Sequence, residues 1–88
     1  MMKLRDNKTT AVKKRTVSVN GNKTSVSLEE EFWRALVEIA NAQNLAVDML
    51  VTRIDRERTS VNLSSAIRVY VFQDLISRLD FAAGRTVT

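Results

Sequence analysis

The sequence contains no cysteine, no histidine and no proline, and its only glycines are Gly21 and Gly84. Without cysteine, neither a disulfide framework nor a thiolate metal site is available. Without histidine, the most common general base and the most common transition-metal ligand are both missing. Two isolated glycines cannot form a phosphate-binding loop, and Asp48, Asp55 and Asp80 lack the spacing of a calcium-binding loop. These absences argue against an enzyme, and we expect no cofactor and no bound metal.

Long apolar runs are also absent from the chain. No stretch approaches the roughly 18 consecutive apolar residues of a membrane-spanning helix. The basic N-terminus is not followed by an apolar segment, as a secretory signal would be. We therefore expect a cytoplasmic protein with no membrane partner. A chain of 88 residues makes one small domain, and a domain of this size gains stability when it dimerises.

The charge is distributed unevenly along the chain. Residues 1–27 hold seven Lys or Arg against one acid, a net charge of +6, and residues 28–88 hold seven Arg against nine Asp or Glu, a net charge of −2, which together give +4. A basic N-terminal third on a slightly acidic body indicates a polyanionic partner, although a solubilising tail would have the same composition. Residues 1–14 show no hydrophobic periodicity, and we expect them to form a disordered basic arm.

Two runs that alternate polar and apolar residues flank Asn20-Gly21, a pair typical of a tight β-hairpin turn. A two-residue turn there would pair Val19 with Asn22 and bring the apolar positions of both strands to the same face. That apolar face would hold Val17, Val19, Thr24, Val26 and Leu28. The opposite, polar face would hold Thr16, Ser18, Lys23, Ser25 and Ser27.

Three helices are predicted after the hairpin. Ser27 and Glu30 have the spacing of a capping box, which predicts the start of the first helix. The second helix is predicted from about Ala46 to Arg58, and Asn62 is a candidate cap for the third, which Gly84 would end. The third helix is apolar nearly all round and must therefore be covered on several sides. In so short a chain, we expect that cover to come from a second copy.

The stretch KTSVSLEEEFWRALVEIANAQNLAVDMLVTRI resembles the ribbon-helix-helix family of dimeric DNA-binding proteins. Within it, TSVSL resembles the family's junction between strand and helix. The later stretch NLSSAIRVYV resembles a bacterial subfamily with an additional third helix. The resemblance covers about residues 15–79 and implies an α+β, mostly helical fold. In that fold two chains intertwine as a homodimer, with an N-terminal β-ribbon or hairpin and three helices. We expect this domain to span residues 15–82 and to be followed by a short tail, 83–88.

The resemblance also implies a site for double-stranded DNA. In the family, strands of two chains pair into an antiparallel ribbon that lies in the major groove, where alternate side chains read the bases. The base-contacting positions match Lys23, Ser25 and Ser27. Phosphate contacts are expected from the basic segment and from the N-terminus of the second helix, at Lys13, Lys14, Arg15, Leu45, Ala46 and Val47. The dimer core is expected to hold Val26, Leu28, Phe32, Trp33, Leu36, Leu50 and Ile54.

These expectations describe a sequence-specific transcriptional regulator that acts as a repressor at short inverted repeats. The Asn20-Gly21 hairpin adds a strand that the simple family pattern lacks. Residues 15–19 therefore either fold away from the DNA, lie beside the DNA phosphates or change the way in which the protein docks on DNA. Two other functions stay open. One is an antitoxin, whose third helix or tail would bind a protein toxin while the ribbon binds a promoter. The other is a dimeric protein-interaction module without DNA binding.

Overall fold

A computed structural model describes residues 11–59, 62–82 and 84 of the chain. Two antiparallel strands form a hairpin, and three helices follow it. The elements are β1 (Val12–Val19), β2 (Asn22–Glu29), α1 (Glu30–Ala42), α2 (Val47–Glu57) and α3 (Leu63–Ala82). The predicted α+β, mostly helical fold is therefore confirmed. The structure contains one chain, so the predicted intertwined homodimer stays a prediction.

The turn of the hairpin has the backbone conformation that its two residues favour. Asn20 and Gly21 both lie in the left-handed region, with φ of 54° and 86°, as in the turn type whose twist matches that of paired strands. The register runs from Val19 opposite Asn22 to Val12 opposite Glu29. The predicted register and the predicted division into an apolar and a polar face are both confirmed.

The first strand begins earlier than the sequence pattern indicated. Val12, Lys13 and Lys14 pair with Glu29, Leu28 and Ser27, so the prediction that these three residues belong to a disordered arm is wrong. Backbone groups make the strand ladder, and lysine side chains on an exposed strand do not prevent it. Residues 1–10, the rest of the predicted arm, lie outside the described residues, as does most of the predicted tail.

The start of α1 also differs from the prediction. β2 continues to Glu29, which is the N-cap of α1 in an extended conformation and makes no side-chain capping hydrogen bond. The predicted capping box of Ser27 and Glu30 is therefore wrong, because Ser27 is still part of the strand two residues before the cap. Glu30 and Glu31 lie in the first turn, where the helix dipole favours negative charge.

The other helix ends agree with the sequence signals. Asn44, with φ of 58°, separates α1 from α2. Ala46 and Arg58 cap α2 at its two ends, as the predicted span indicated. At the start of α3 the backbone N–H of Ser65 donates to Oδ1 of Asn62 at 3.0 Å, which confirms the predicted cap. Gly84, with φ of 80°, follows the end of α3.

The hydrophobic core is closed within a single chain. It contains side chains from the inner face of the hairpin and from all three helices: Val17, Val19, Val26, Leu28, Leu36, Ile39, Ala40, Leu50, Val51, Ile54, Ile67 and Val71. No polar side chain of the described residues is buried there. Burial of each large aliphatic side chain contributes about 1.5–3 kcal/mol. The hairpin is thus held against the helices by its apolar face, which leaves its polar face outward.

The third helix contributes only part of its surface to this core. Ile67 and Val71 are buried, whereas apolar side chains on other sides of α3 are exposed. These exposed side chains are Val69, Phe72, Leu75, Ile76, Leu79 and Phe81. None of the helices in the described ranges is long and apolar enough to cross a membrane.

Candidate nucleic-acid interface

The outward face of the hairpin carries all three residues predicted to contact DNA bases. Lys23 and Ser25 are exposed and Ser27 is half-buried, whereas Val26 and Leu28 between and beside them are fully buried. Alternate residues of a strand point to the same face about 6.6–6.8 Å apart. The strand therefore presents three polar side chains in a row on a support that is fixed from behind.

The neighbouring strand widens this surface. Ser18, Thr16 and Lys14 of β1 lie opposite Lys23, Ser25 and Ser27 of β2, and paired residues of antiparallel strands share a face. We call these six residues the outer face of the ribbon. The sequence analysis placed Thr16 and Ser18 on the polar face but not in the site. The register of the hairpin is the signal that would have included them.

The first two turns of α3 hold the free edge of β2 at Ser27. The backbone N–H of Ser27 donates to Oγ of Ser64 at 2.9 Å, and Nη2 of Arg68 donates to the carbonyl oxygen of Ser27 at 3.1 Å. Nε of Arg68 also donates to Oε1 of Glu29 at 2.8 Å. Both backbone groups of Ser27 that face away from β1 are thus engaged inside the chain. Sequence reasoning missed these roles, although Ser64 and Arg68 are four residues apart and so share a helix face.

This contact also changes the acidity of Glu29. The hydrogen bond from Arg68 holds the pKa of the Glu29 carboxyl below its ordinary value of 4.5, with help from the residue's own backbone N–H and from the charge of Arg68. Partial burial of the carboxyl opposes the shift. Glu29 is therefore a stable anion at neutral pH beside the last residue of the outer face.

Two of the residues predicted to contact phosphate lie on the opposite side of the hairpin. Nη2 of Arg15 lies 2.6 Å from Oε1 of Glu30, and its guanidinium lies 4.7 Å from the centre of the Trp33 ring. Nζ of Lys13 lies 4.0 Å from the same oxygen of Glu30. Of the three basic residues at the start of β1, only Lys14 lies on the outer face. The phosphate role of all three stays a prediction.

The other predicted phosphate site is the N-terminus of α2. Ala46 is an extended N-cap without a side-chain hydrogen bond, and the N–H groups of Met49 and Leu50 donate to its carbonyl oxygen. The N–H of Leu45 donates to Ala40 at 2.9 Å and is already used. The exposed carboxylate of Asp48 lies in the first turn. This turn can donate to an anion through its free N–H groups, but Asp48 weakens its attraction for phosphate.

The comparison with known families agrees with this arrangement. The family model described as "Ribbon-helix-helix domain" matches residues 12–75. The chain therefore belongs to the ribbon-helix-helix family, and the resemblance read from the sequence is confirmed. Proteins of this family are in general DNA-binding regulators that form dimers, and the fold is typically not that of an enzyme.

A solved structure shows the same fold. The chain is similar to an uncharacterized protein from Bordetella pertussis Tohama I, with a TM-score of 0.72 and 28% sequence identity. The alignment covers 88% of this chain and 66% of that protein, so the present chain spans slightly less than two thirds of that protein's length. No match was found among curated proteins.

Proposed function

We propose that this protein is a sequence-specific DNA-binding transcriptional regulator that acts as a repressor and reads the major groove with the outer face of its β-ribbon. One observation carries the proposal. A polar, basic strand face containing Lys23, Ser25 and Ser27 points outward from a hairpin whose other face is buried, in a chain of the ribbon-helix-helix family. Water alone also favours polar side chains on an exposed strand face, so membership of this family is what connects the row with DNA.

The dimensions of the hairpin suit the groove. The major groove of B-DNA is about 12 Å wide and admits a two-stranded ribbon, and two paired strands lie about 4.8 Å apart. The family's simple ribbon is made by strands of two chains. Here the hairpin supplies two strands within one chain, and α3 occupies the edge of β2 at Ser27. These contacts favour the intrachain hairpin as the groove-reading ribbon over a flat four-stranded sheet.

The side chains of the outer face suggest a modest direct readout. Lys23 can donate to guanine O6 and N7, the acceptors used in the most common specific contacts. The hydroxyl groups of Ser25 and Ser27 can donate or accept, so they tolerate several bases. Because such a reader discriminates less than one built from Asn, Gln and Arg, phosphate contacts should supply much of the affinity.

The phosphate contacts are assigned by charge and position. Lys14 lies beside Ser27 on the outer face and is the basic residue best placed to reach a flanking phosphate. The N-terminus of α2 is a second anchor through the backbone N–H groups of Ala46 and Val47, because the N–H of Leu45 already donates to Ala40. Lys13 and Arg15 contribute positive potential, but their contacts with Glu30 compete with direct binding to phosphate.

A second candidate function is a protein-interaction module that does not bind DNA. The exposed apolar side of α3 favours it, because large apolar patches mark interaction surfaces more often than nucleic-acid contacts. An antitoxin would combine both properties, with the ribbon on a promoter and α3 on a toxin.

Selection of duplexes from a randomised pool, followed by fluorescence anisotropy on the winners, tests the proposal. Between about 50 and 200 mM salt, a phosphate-driven affinity should fall by orders of magnitude. We expect enrichment of a short inverted repeat and tight, salt-sensitive binding to it, with a scrambled duplex of equal length as the control. Absence of binding at low salt would remove the DNA-reading function and leave the interaction module.

A further inference from the structure

The turn of the hairpin is attached to α2 by one side chain. The backbone N–H of Asn20 donates to Oγ1 of Thr52 at 3.1 Å, although the two residues are 32 positions apart in the sequence. In a two-residue turn the flanking residues, here Val19 and Asn22, pair with each other, and the N–H of the first turn residue has no partner within the hairpin. Thr52 therefore supplies a partner that the turn itself cannot supply.

The same hydroxyl group is also bound to the first turn of α2. Oγ1 of Thr52 donates to the carbonyl oxygen of Asp48, four residues earlier in the helix, at 2.9 Å. A hydroxyl group has one hydrogen and two lone pairs, so it can donate to Asp48 while it accepts from Asn20. Asp48 directly follows Val47, whose N–H is part of the proposed phosphate anchor. A single oxygen atom thus links the turn of the ribbon to the end of α2 that is proposed to hold phosphate.

Packing fixes the position of Thr52. Its neighbours Leu50 and Val51 are completely buried, and α2 packs against β1 more extensively than the other helices do. Threonine is branched at Cβ, so few side-chain rotamers are open to it in a helix, and the bond to a carbonyl one turn earlier selects among them. The hydroxyl group therefore lies on a rigid support, and the position of the turn follows from it.

The hairpin is thereby fastened to the helices at both of its ends. Ser64 and Arg68 of α3 bind the backbone of Ser27 at one end, and Thr52 binds the turn next to Lys23 at the other end. The apolar packing of the inner face is non-directional, whereas hydrogen bonds require a defined distance and angle. The bonds at the two ends therefore determine how the outer face of the ribbon lies relative to the helices.

We propose that Thr52 is a positioning residue for DNA recognition, which holds the turn and the adjoining Lys23 at a fixed place relative to the N-terminus of α2. The inference rests on the proposed function, because it needs Lys23 to contact bases and the N-terminus of α2 to contact phosphate. Phosphate contacts set the register of a protein on the duplex, and base contacts read the sequence in that register. A fixed spacing between the two kinds of contact therefore makes Lys23 meet the correct base. Each copy in a dimer would carry its own link, since both bonds of Thr52 lie within one chain.

Two substitutions separate the hydroxyl group from the rest of the Thr52 side chain. Thr52→Val removes the hydroxyl group and keeps the branched shape, and Thr52→Ser keeps the hydroxyl group. In anisotropy titrations, Thr52→Val should bind the selected duplex about three- to ten-fold more weakly than the wild type, and Thr52→Ser should stay within about two-fold of it. Thr52→Val should also discriminate less at the base position that Lys23 reads. Affinity for the scrambled duplex and the salt dependence should not change, because no charge is altered.

A double-mutant cycle tests whether Thr52 acts through Lys23. In a Lys23→Ala background, Thr52→Val should cause less than about a two-fold further loss of affinity, because the side chain that Thr52 positions is already absent. Thr59→Val removes a hydroxyl group from an exposed residue just after α2. It is the matched control and should bind like the wild type. Thermal unfolding of every variant should remain cooperative, so that the titrations compare folded chains.

Amide hydrogen exchange tests the link itself, without DNA. The N–H of Asn20 should exchange faster in Thr52→Val than in the wild type or in Thr52→Ser, because only the valine variant lacks its acceptor. Equal exchange rates in all three chains would show that Thr52 does not hold the turn.

Three binding results would overturn the inference. They are wild-type affinity and base preference in Thr52→Val, equal losses in Thr52→Val and Thr52→Ser, and an undiminished effect of Thr52→Val in the Lys23→Ala background. In each case the wild type still binds the selected duplex, so the proposed function stands. Absence of wild-type binding to any duplex would overturn the DNA-reading function, and this inference with it.

Discussion

Arg68 of α3 and Glu29 of β2 form an ion pair in which Nε of the guanidinium lies 2.8 Å from Oε1 of the carboxylate. The same guanidinium donates to the carbonyl oxygen of Ser27. The end of the proposed groove-reading strand is therefore fastened to α3, the helix that also carries most of the exposed large apolar side chains of the described residues. This connection fixes the orientation of the outer face relative to α3. Because it includes the carboxylate of Glu29, protonation of that group by acid should weaken it.

Acid should weaken this contact. Arg68 lowers the pKa of Glu29 in the folded chain, so the pair contributes stability above the ordinary pKa of 4.5 and loses it as the pH falls through the lower, folded pKa. Glu29→Gln should lower the free energy of unfolding at neutral pH and should lose less stability than the wild type on acidification. Urea unfolding between about pH 7 and pH 3 measures both effects. Glu31→Gln, a neighbouring exposed acid, is the control, and parallel acid profiles for wild type and Glu29→Gln would contradict the prediction.

Lys23 should matter for sequence discrimination. Lys23→Ala is expected to weaken binding to the selected duplex by about 1–3 kcal/mol and to relax the preference at one base position. Anisotropy titrations on the selected duplex and on single-base variants of it would show both changes. Arg56→Ala removes the same charge from an exposed position of α2 and should reduce affinity less, without changing base preference. Equal effects of the two substitutions would mean that Lys23 contributes only charge.

Removal of residues 1–10 should weaken binding to every sequence. This segment carries Lys3, Arg5 and Lys8 against one acid, and the truncation stops before β1 begins at Val12. For every phosphate that the truncated chain no longer neutralises, the slope of log affinity against log salt should become shallower by about 0.9. Replacement of the three basic residues by Ser in the full chain should reproduce the effect if charge is its cause. A weaker affinity confined to the selected duplex would instead indicate that this segment reads bases.

The hairpin turn should depend on Gly21. Its φ of 86° is in the left-handed region, and a Cβ added there would meet no atom within 4 Å. Gly21→Ala should therefore destabilise the fold only through backbone strain, by about 1–2 kcal/mol. Gly84→Ala has the same backbone requirement and the same open space, but it lies past the end of α3 and should cost less because helix ends fray. Thermal unfolding compares the two, and a wild-type midpoint for Gly21→Ala would refute the prediction.

Local signals in the sequence predicted much of the fold. The Asn20-Gly21 pair and the alternation around it predicted the correct register, because the turn and the burial of Val17 and Val26 require the same pairing. The span of α2 and the cap at Asn62 were also correct. The family assignment followed from the order of these elements and was confirmed by the match over residues 12–75.

Signals that depend on distant contacts were misread or missed. The spacing of Ser27 and Glu30 suggested a helix cap, but β2 continues past Ser27, and the backbone of that residue is bound by Ser64 and Arg68, 37 and 41 residues away. Leu28 and Leu50, expected in the dimer core, are completely buried within one chain, and their part in a dimer stays a prediction. Periodicity identifies which side chains must be buried, but it does not say which chain buries them.

Local preferences of the sequence are enough to specify the hairpin, the three helices and the polar face that contains Lys23, Ser25 and Ser27, because turn preference, capping and hydrophobic period act over a few residues. The packing of the folded chain determines which polar groups are already bound and which apolar surface remains uncovered. Arg15 is held by Glu30 and Trp33, and the edge at Ser27 is held by α3. Both contacts join elements that are separated in the sequence. They form only when the chain packs, because packing decides at the same time which groups are buried and which charges are paired.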